Sequence, residues 1–224
     1  LYLEFHRGTY TSMAKNKRYN RKAEMLMQRL ESLSVLNGVL TNQEYKKEKL
    51  YAMWDVILLN QFHDIIPGSS IKEVYDVSWK QYEELFAEGE VFLQEGLQAL
   101  AKQVQSKDGV LVYNSLGFAR SDVIAIDGEV YESGLIPAYG WKVVQPERNV
   151  SKVVIQGNTV ENAYYSLTVD DYGRISRLYD KRFDREVFCQ NQAGNEIQLF
   201  EDMPLEYENW ELADYYPVKG RVLK

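Results

Sequence analysis

The sequence predicts an α+β fold, a three-helix bundle followed by an antiparallel β-sandwich. Two observations predict it. Apolar residues recur at spacings of three and four through most of residues 11–105. Beyond Lys107 that period gives way to short apolar or alternating runs separated by Gly and Asn.

The first helix carries a stripe of Tyr19, Ala23, Leu26, Leu30 and Leu33. Around it lie Lys15, Lys17, Arg18, Arg21, Lys22, Glu24 and Glu31, a mixed-charge set expected to face water without function. Asn37 and Gly38 are expected to make the turn. Thr41 with Glu44 three residues later forms a capping-box pattern, which places the start of a second helix there and its end near Gln61. Its inner face is expected to be Leu50, Trp54, Ile57 and Leu58. Ser70 with Glu73 repeats the capping pattern after Pro67 and Gly68, and Tyr82, Phe86, Gly89, Leu93, Leu97, Leu100 and Val104 form the stripe of a third helix. Short connections favour antiparallel neighbours and hence a bundle.

Strands are expected at Val110 to Tyr113, Val123 to Ile126, Val153 to Ile155 and Tyr165 to Val169, with a hairpin turn at Asp171 to Gly173 where Gly can adopt positive φ.

With 224 residues and 45% hydrophobic content, the chain is long enough to bury a substantial core. Net charge is −7, and no segment clusters Lys and Arg with aromatics, so nucleic acid is not an expected partner. Apolar runs such as Val56 to Leu59 fall far short of the roughly 20 residues of a membrane span. The single Cys189 excludes an internal disulfide, so a reducing, cytoplasmic compartment is expected. Leu1 in place of Met, and a strand-like run from Val218 to Lys224, make the chain read as an excerpt of something longer.

Two histidines narrow the search for chemistry. His63 sits in Asn60-Gln61-Phe62-His63-Asp64-Ile65-Ile66-Pro67-Gly68-Ser69-Ser70, where a helix end runs into a Pro-Gly turn. A neutral imidazole is a common zinc ligand, and an adjacent carboxylate can take a sugar hydroxyl or orient a ligand. Equally, His63 can complement a helix C-terminus and Asp64 can bond backbone amides. His6 lies in Leu1-Tyr2-Leu3-Glu4-Phe5-His6-Arg7-Gly8-Thr9-Tyr10-Thr11-Ser12, read as a strand ending at Gly8 and a loop entering the first helix. His6 and Arg7 could line a polar pocket there, or the segment could be a surface loop with Thr11 or Ser12 as a helix cap.

Taken together, Glu4 through Ser12 and Gln61 through Ser70 resemble motifs of glycoside hydrolase family 38, the retaining α-mannosidases, in their bacterial form. Gly173-Arg174-Ile175, Leu178-Tyr179-Asp180-Lys181, Leu199-Phe200-Glu201-Asp202 and Trp210 extend the resemblance over nearly the whole chain. The resemblance implies the end of a catalytic α/β domain at residues 1–12, a three-helix bundle at 13–107 and an incomplete β-sandwich domain at 108–224. In the family a zinc ion, held by a His-x-Asp pair, the nucleophilic Asp and one later His, grips mannose hydroxyls. His63 matches that later His. By the same likeness Asp64 would bind substrate, with His6 and Arg7 near the sugar pocket.

No catalytic carboxylate is identifiable in this chain, which has no His-x-Asp motif, and the remaining zinc ligands would lie in other domains of the parent enzyme. The implied function is therefore a fragment of a zinc-dependent retaining hydrolase of terminal α-mannosides, inactive alone. The alternative is a carbohydrate-binding or structural module without catalysis, in which Trp141 and Trp210 stack on sugar while Trp54 belongs to the core.

Overall fold

The computed structural model describes residues 6–104, 108–145 and 153–223. Three helices come first: α1 (Ala14–Thr41), α2 (Lys47–Asn60) and α3 (Lys72–Ala101). Helical spacing puts Ala23, Leu26, Leu30 and Leu33 on one face of α1, and all four are buried. Met27 joins that face, and Leu50, Met53 and Ile57 of α2 with Tyr82, Leu85 and Phe92 of α3 complete the core. Burying each larger aliphatic side chain contributes roughly 1.5–3 kcal/mol. Gly89 permits the close approach of α1 and α3, since a Cβ there would lie 2.5 Å from Leu26 Cδ2 and 3.1 Å from Met53 Cε.

Several helix details differ from the sequence expectation. Asn37 and Gly38 are not a turn but lie within α1, where buried Asn37 donates through Nδ2 to Gly96 O at 2.9 Å. Thr41 ends α1 instead of starting α2. Its hydroxyl donates to Asn37 O at 2.7 Å, and Asn42 takes the left-handed conformation that closes many helices (φ 56°). The capping pattern was misleading because a hydroxyl can bond back to its own helix as readily as cap the next. Ser70 likewise does not cap α3, whose N-cap is Ile71 without a side-chain bond. Neither Thr11 nor Ser12 caps α1, whose N-cap is Met13 at φ 49°. Leu58, expected inside, is 59% exposed, and Met53 takes its place in the core.

Short antiparallel strands follow. Val110–Tyr113 (β1) pairs with Trp141–Val144 (β4), and Val123–Ile126 (β2) pairs with Glu129–Glu132 (β3). The β2–β3 turn is Asp127-Gly128 with both residues at positive φ (52° and 83°), the backbone a two-residue hairpin requires. Buried Asn114 organises the loops beside β1. Its Nδ2 donates to Phe118 O and Pro137 O, each at 2.9 Å, and its Oδ1 accepts from Leu116 N at 3.1 Å. Val154–Gln156 (β5), Thr159–Glu161 (β6), Tyr165–Val169 (β7), Ile175–Asp180 (β8) and Arg185–Glu186 (β9) form a five-stranded antiparallel meander, and Gln198–Phe200 (β10) pairs with Gly220–Val222 (β11).

Gly173 turns the β7–β8 hairpin at φ 77°, as its sequence predicts. Asp170 fixes that turn, accepting from the Tyr172 and Arg174 amides and from Arg174 Nε. Three helices followed by antiparallel sheets are thus the observed α+β arrangement.

The chain divides into two compact units. One reaches Asn149 and includes Asn209–Glu211, and the other comprises Val150–Glu208 and Leu212–Lys224. The first therefore holds the helices together with β1–β4. Among the described residues, no helix is long and apolar enough to cross a membrane.

Candidate functional site

The loop carrying His63 and Asp64 starts where α2 stops, and polar side chains lock that end to both neighbouring helices. Asn60, almost wholly buried, donates from Nδ2 to Gln81 Oε1 on α3 at 3.0 Å. Gln61 donates from Nε2 to Asn20 Oδ1 and Glu24 Oε1 on α1, at 3.0 and 3.1 Å. The last α2 carbonyls are taken by backbone amides: Gln61 N reaches Ile57 O and Leu58 O, and Phe62 N reaches Leu59 O.

The far end of the loop is tied from beneath by Tyr75, which is fully buried. Its hydroxyl accepts from Ser70 N at 3.1 Å and donates to Ile65 O at 3.2 Å. Ser70 Oγ donates to Asp64 O at 2.6 Å. Between these ties the loop presents its two candidate side chains to solvent. The His63 side chain is 78% exposed, with Nε2 3.5 Å from Asp64 Oδ2 and its ring beside that of Phe62. Among the described residues, neither the imidazole nor the Asp64 carboxylate bonds a helix end, so the capping role open to them in sequence is filled by backbone instead.

The other motif segment lies against this loop. Residues 1–5, expected to form a strand, fall outside the described residues; Gly8–Tyr10 is a single 3₁₀ turn leading to α1. Ser12 abuts Gly68, whose φ of 100° is open to few residues but Gly. Lys17 bridges the two segments, donating from Nζ to Ser12 O and, at 3.0 Å, to Pro67 O. Burial pushes its ammonium below the ordinary lysine range. His6 is exposed and packs edge-on against the Trp210 indole, ring centres 5.0 Å apart. Gly8 donates its amide to Trp210 O at 2.8 Å and packs tightly there, since a Cβ would lie 3.1 Å from Asn209 O and from the Trp210 carbonyl carbon and would require the neighbouring backbone to give. Arg7 is half-buried beside it.

The structure therefore brings the His6–Ser12 segment, the His63–Asp64 loop and Asn209–Glu211 into one region. His6 and His63 nonetheless face different immediate neighbours, Trp210 and Asp64.

Four supporting residues are not readable as such in the sequence. Their spacing puts Lys17 and Glu24 on a solvated face, but Lys17 caps carbonyls and Glu24 receives Gln61 and Asn20. Glu31, from the same set, receives the Trp54 indole N–H at 2.9 Å. Tyr75, one turn into α3, carried the helical spacing of a core residue and no sign of its hydroxyl's role.

Among the described residues, no three His, Cys, Asp or Glu side chains gather closely enough to hold a metal ion. A catalytic zinc takes about three protein ligands. The donor set here fits a share of such a site, one exposed imidazole with an adjacent carboxylate, and not a closed one.

Comparison with known proteins identifies the family. Residues 4–100 match the alpha mannosidase middle domain, and residues 160–223 match the glycosyl hydrolases family 38 C-terminal domain. Alpha-mannosidase 2C1 of Homo sapiens is 30% identical over 99% of this chain and 23% of its own length. Alpha-mannosidase G of Dictyostelium discoideum is 25% identical over 94% of this chain and 25% of its own length. The chain thus spans about a quarter of the curated relatives it matches. A crystal structure of an alpha-mannosidase from Enterococcus faecalis V583 shares the fold, with a TM-score of 0.71 at 12% identity over 96% of this chain and 32% of that one. Carrying a middle domain and a C-terminal domain of one family in that order, the chain belongs to the family 38 glycosyl hydrolases.

Proposed function

We propose that this chain is part of a zinc-dependent retaining α-mannosidase that hydrolyses terminal α-mannosides, and that it supplies one wall of the active site. The observation that carries the reading is the loop of residues 61–70. Its ends are fixed by buried groups while His63 and Asp64 stand free in solvent, an arrangement that holds side chains ready for something outside the bundle.

In this reading His63 gives one imidazole nitrogen to zinc, which when bound grips sugar hydroxyls and stabilises charge on them. Asp64 accepts hydrogen bonds from hydroxyls of the sugar and orients the imidazole from 3.5 Å away. His6 and Arg7 border the same pocket. Retaining hydrolysis needs two carboxyl groups about 5 Å apart, a nucleophile and an acid. Neither is assigned to this chain, so the 224 residues alone are expected to be inactive.

The test uses the whole protein. His63→Ala is expected to lower zinc affinity at least about tenfold and to abolish turnover of an aryl α-mannoside. Full zinc occupancy at limiting metal, with an undiminished rate, overturns the assignment.

A further inference from the structure

The two motif segments are held together by an amine that touches neither candidate ligand. Lys17 Nζ reaches across from the first turn of α1 to bond Ser12 O on one segment and Pro67 O on the other. Both acceptors are main-chain carbonyls, so the contact fixes backbone and not a movable side chain. Gly68 sits immediately beyond Pro67, pressed on Ser12 with no space for a Cβ. Lys15, two residues earlier on the same helix, has a different environment: its ammonium pairs with exposed Glu83 at 3.3 Å.

We propose that Lys17 is a positioning residue for the His63–Asp64 loop, fixing through the Pro67 carbonyl where the loop stands against the His6–Ser12 segment. The inference deepens the reading of His63 as a zinc ligand and rests on it for its consequence at the metal. The physical reason is that hydrogen bonds from a charged donor are the stronger class, and this one joins the main chains of the two segments directly, whereas the ties through Asn60, Gln61 and Tyr75 hold the loop to the helices. Partial burial of the amine fits this, because a lysine drawn partly out of water is kept where its protons are used.

The experiment compares Lys17→Met, which keeps length and removes the donor, with Lys15→Met as a control in the whole protein. Amide hydrogen exchange is read at Ile65, Ile66 and Gly68, whose amides close the loop on Phe62 O and Ile65 O, and zinc affinity is read by chelator competition. Lys17→Met is expected to speed exchange at those amides about tenfold, the equivalent of losing one charged hydrogen bond, and to weaken zinc about tenfold, with Lys15→Met changing neither. Lys17→Gln, with a shorter neutral donor, shows the same changes to a smaller extent and serves if the Met variant does not fold. Unchanged exchange at the three amides, or an equal rise in Lys15→Met, overturns the proposal. Faster exchange with zinc affinity intact upholds the positioning role and overturns the zinc reading of His63 instead.

Discussion

Ser12 packs on Gly68 so closely that a Cβ at position 68 would stand 2.7 Å from Ser12 Cβ and 2.9 Å from its carbonyl carbon and oxygen. That contact joins the segment entering α1 to the loop leaving α2. Gly68→Ala would meet both the clash and a φ of 100°. The expected loss is about 1–3 kcal/mol, read as a lower urea midpoint. An unchanged midpoint would mean the two segments are not in contact.

The Asn114 side chain makes three hydrogen bonds with backbone, to Phe118 O, Pro137 O and Leu116 N. Asn114→Ala leaves two carbonyls and an amide to find other partners in a buried position. It is expected to cost about 1–3 kcal/mol, whereas Asn158→Ala in the exposed β5–β6 turn, measured in the same way, should cost less.

Tyr82 predicts alkaline sensitivity. Burial, and then the nearby Glu24 charge, push its phenol above the usual value of 10.0, so the folded chain keeps a proton that the unfolded chain releases. Stability from this group is complete below about pH 10 and is lost as pH rises above it. Thermal melts from pH 8 to 11 should show a falling Tm that flattens in Tyr82→Phe. Tyr113, raised mainly by burial as well, accounts for a residual slope.

Asp170 predicts the opposite edge. Desolvation alone would raise its carboxyl, but hydrogen bonds from the Arg174 amide and guanidinium and the Tyr172 amide hold it below the usual 3.8. The stability it contributes is present above about pH 3.8 and is lost as pH falls through the lower folded value. Protection factors across the β7–β8 hairpin, which correct exchange for its intrinsic slowing in acid, should fall as pH drops below about 3.8 in the native chain. In Asp170→Asn the protection factors should already be low at neutral pH, with little further change.

Helix content and the apolar face of α1 were legible because a 3.6-residue period repeats from Tyr19 to Leu33, about four turns, and no single substitution hides it. Helix ends were less so. Thr41 and Ser70 both fitted a capping pattern, yet each spends its hydroxyl on a carbonyl, Asn37 O and Asp64 O. A hydroxyl's choice between an amide and a carbonyl depends on which lies within reach, and that is set by packing.

The sequence by itself determined the α-then-β order, the period of the helical stripes, the Gly173 turn and the two histidine motifs, since each rests on local spacing or on the steric freedom of one residue. Only the tertiary structure decided that the motifs adjoin, that Trp210 backs His6, and that Lys17 and Tyr75 hold the loop. Those relationships depend on distances between residues far apart in the chain, where a lysine or tyrosine carries the same local signal whether it meets water or a buried carbonyl.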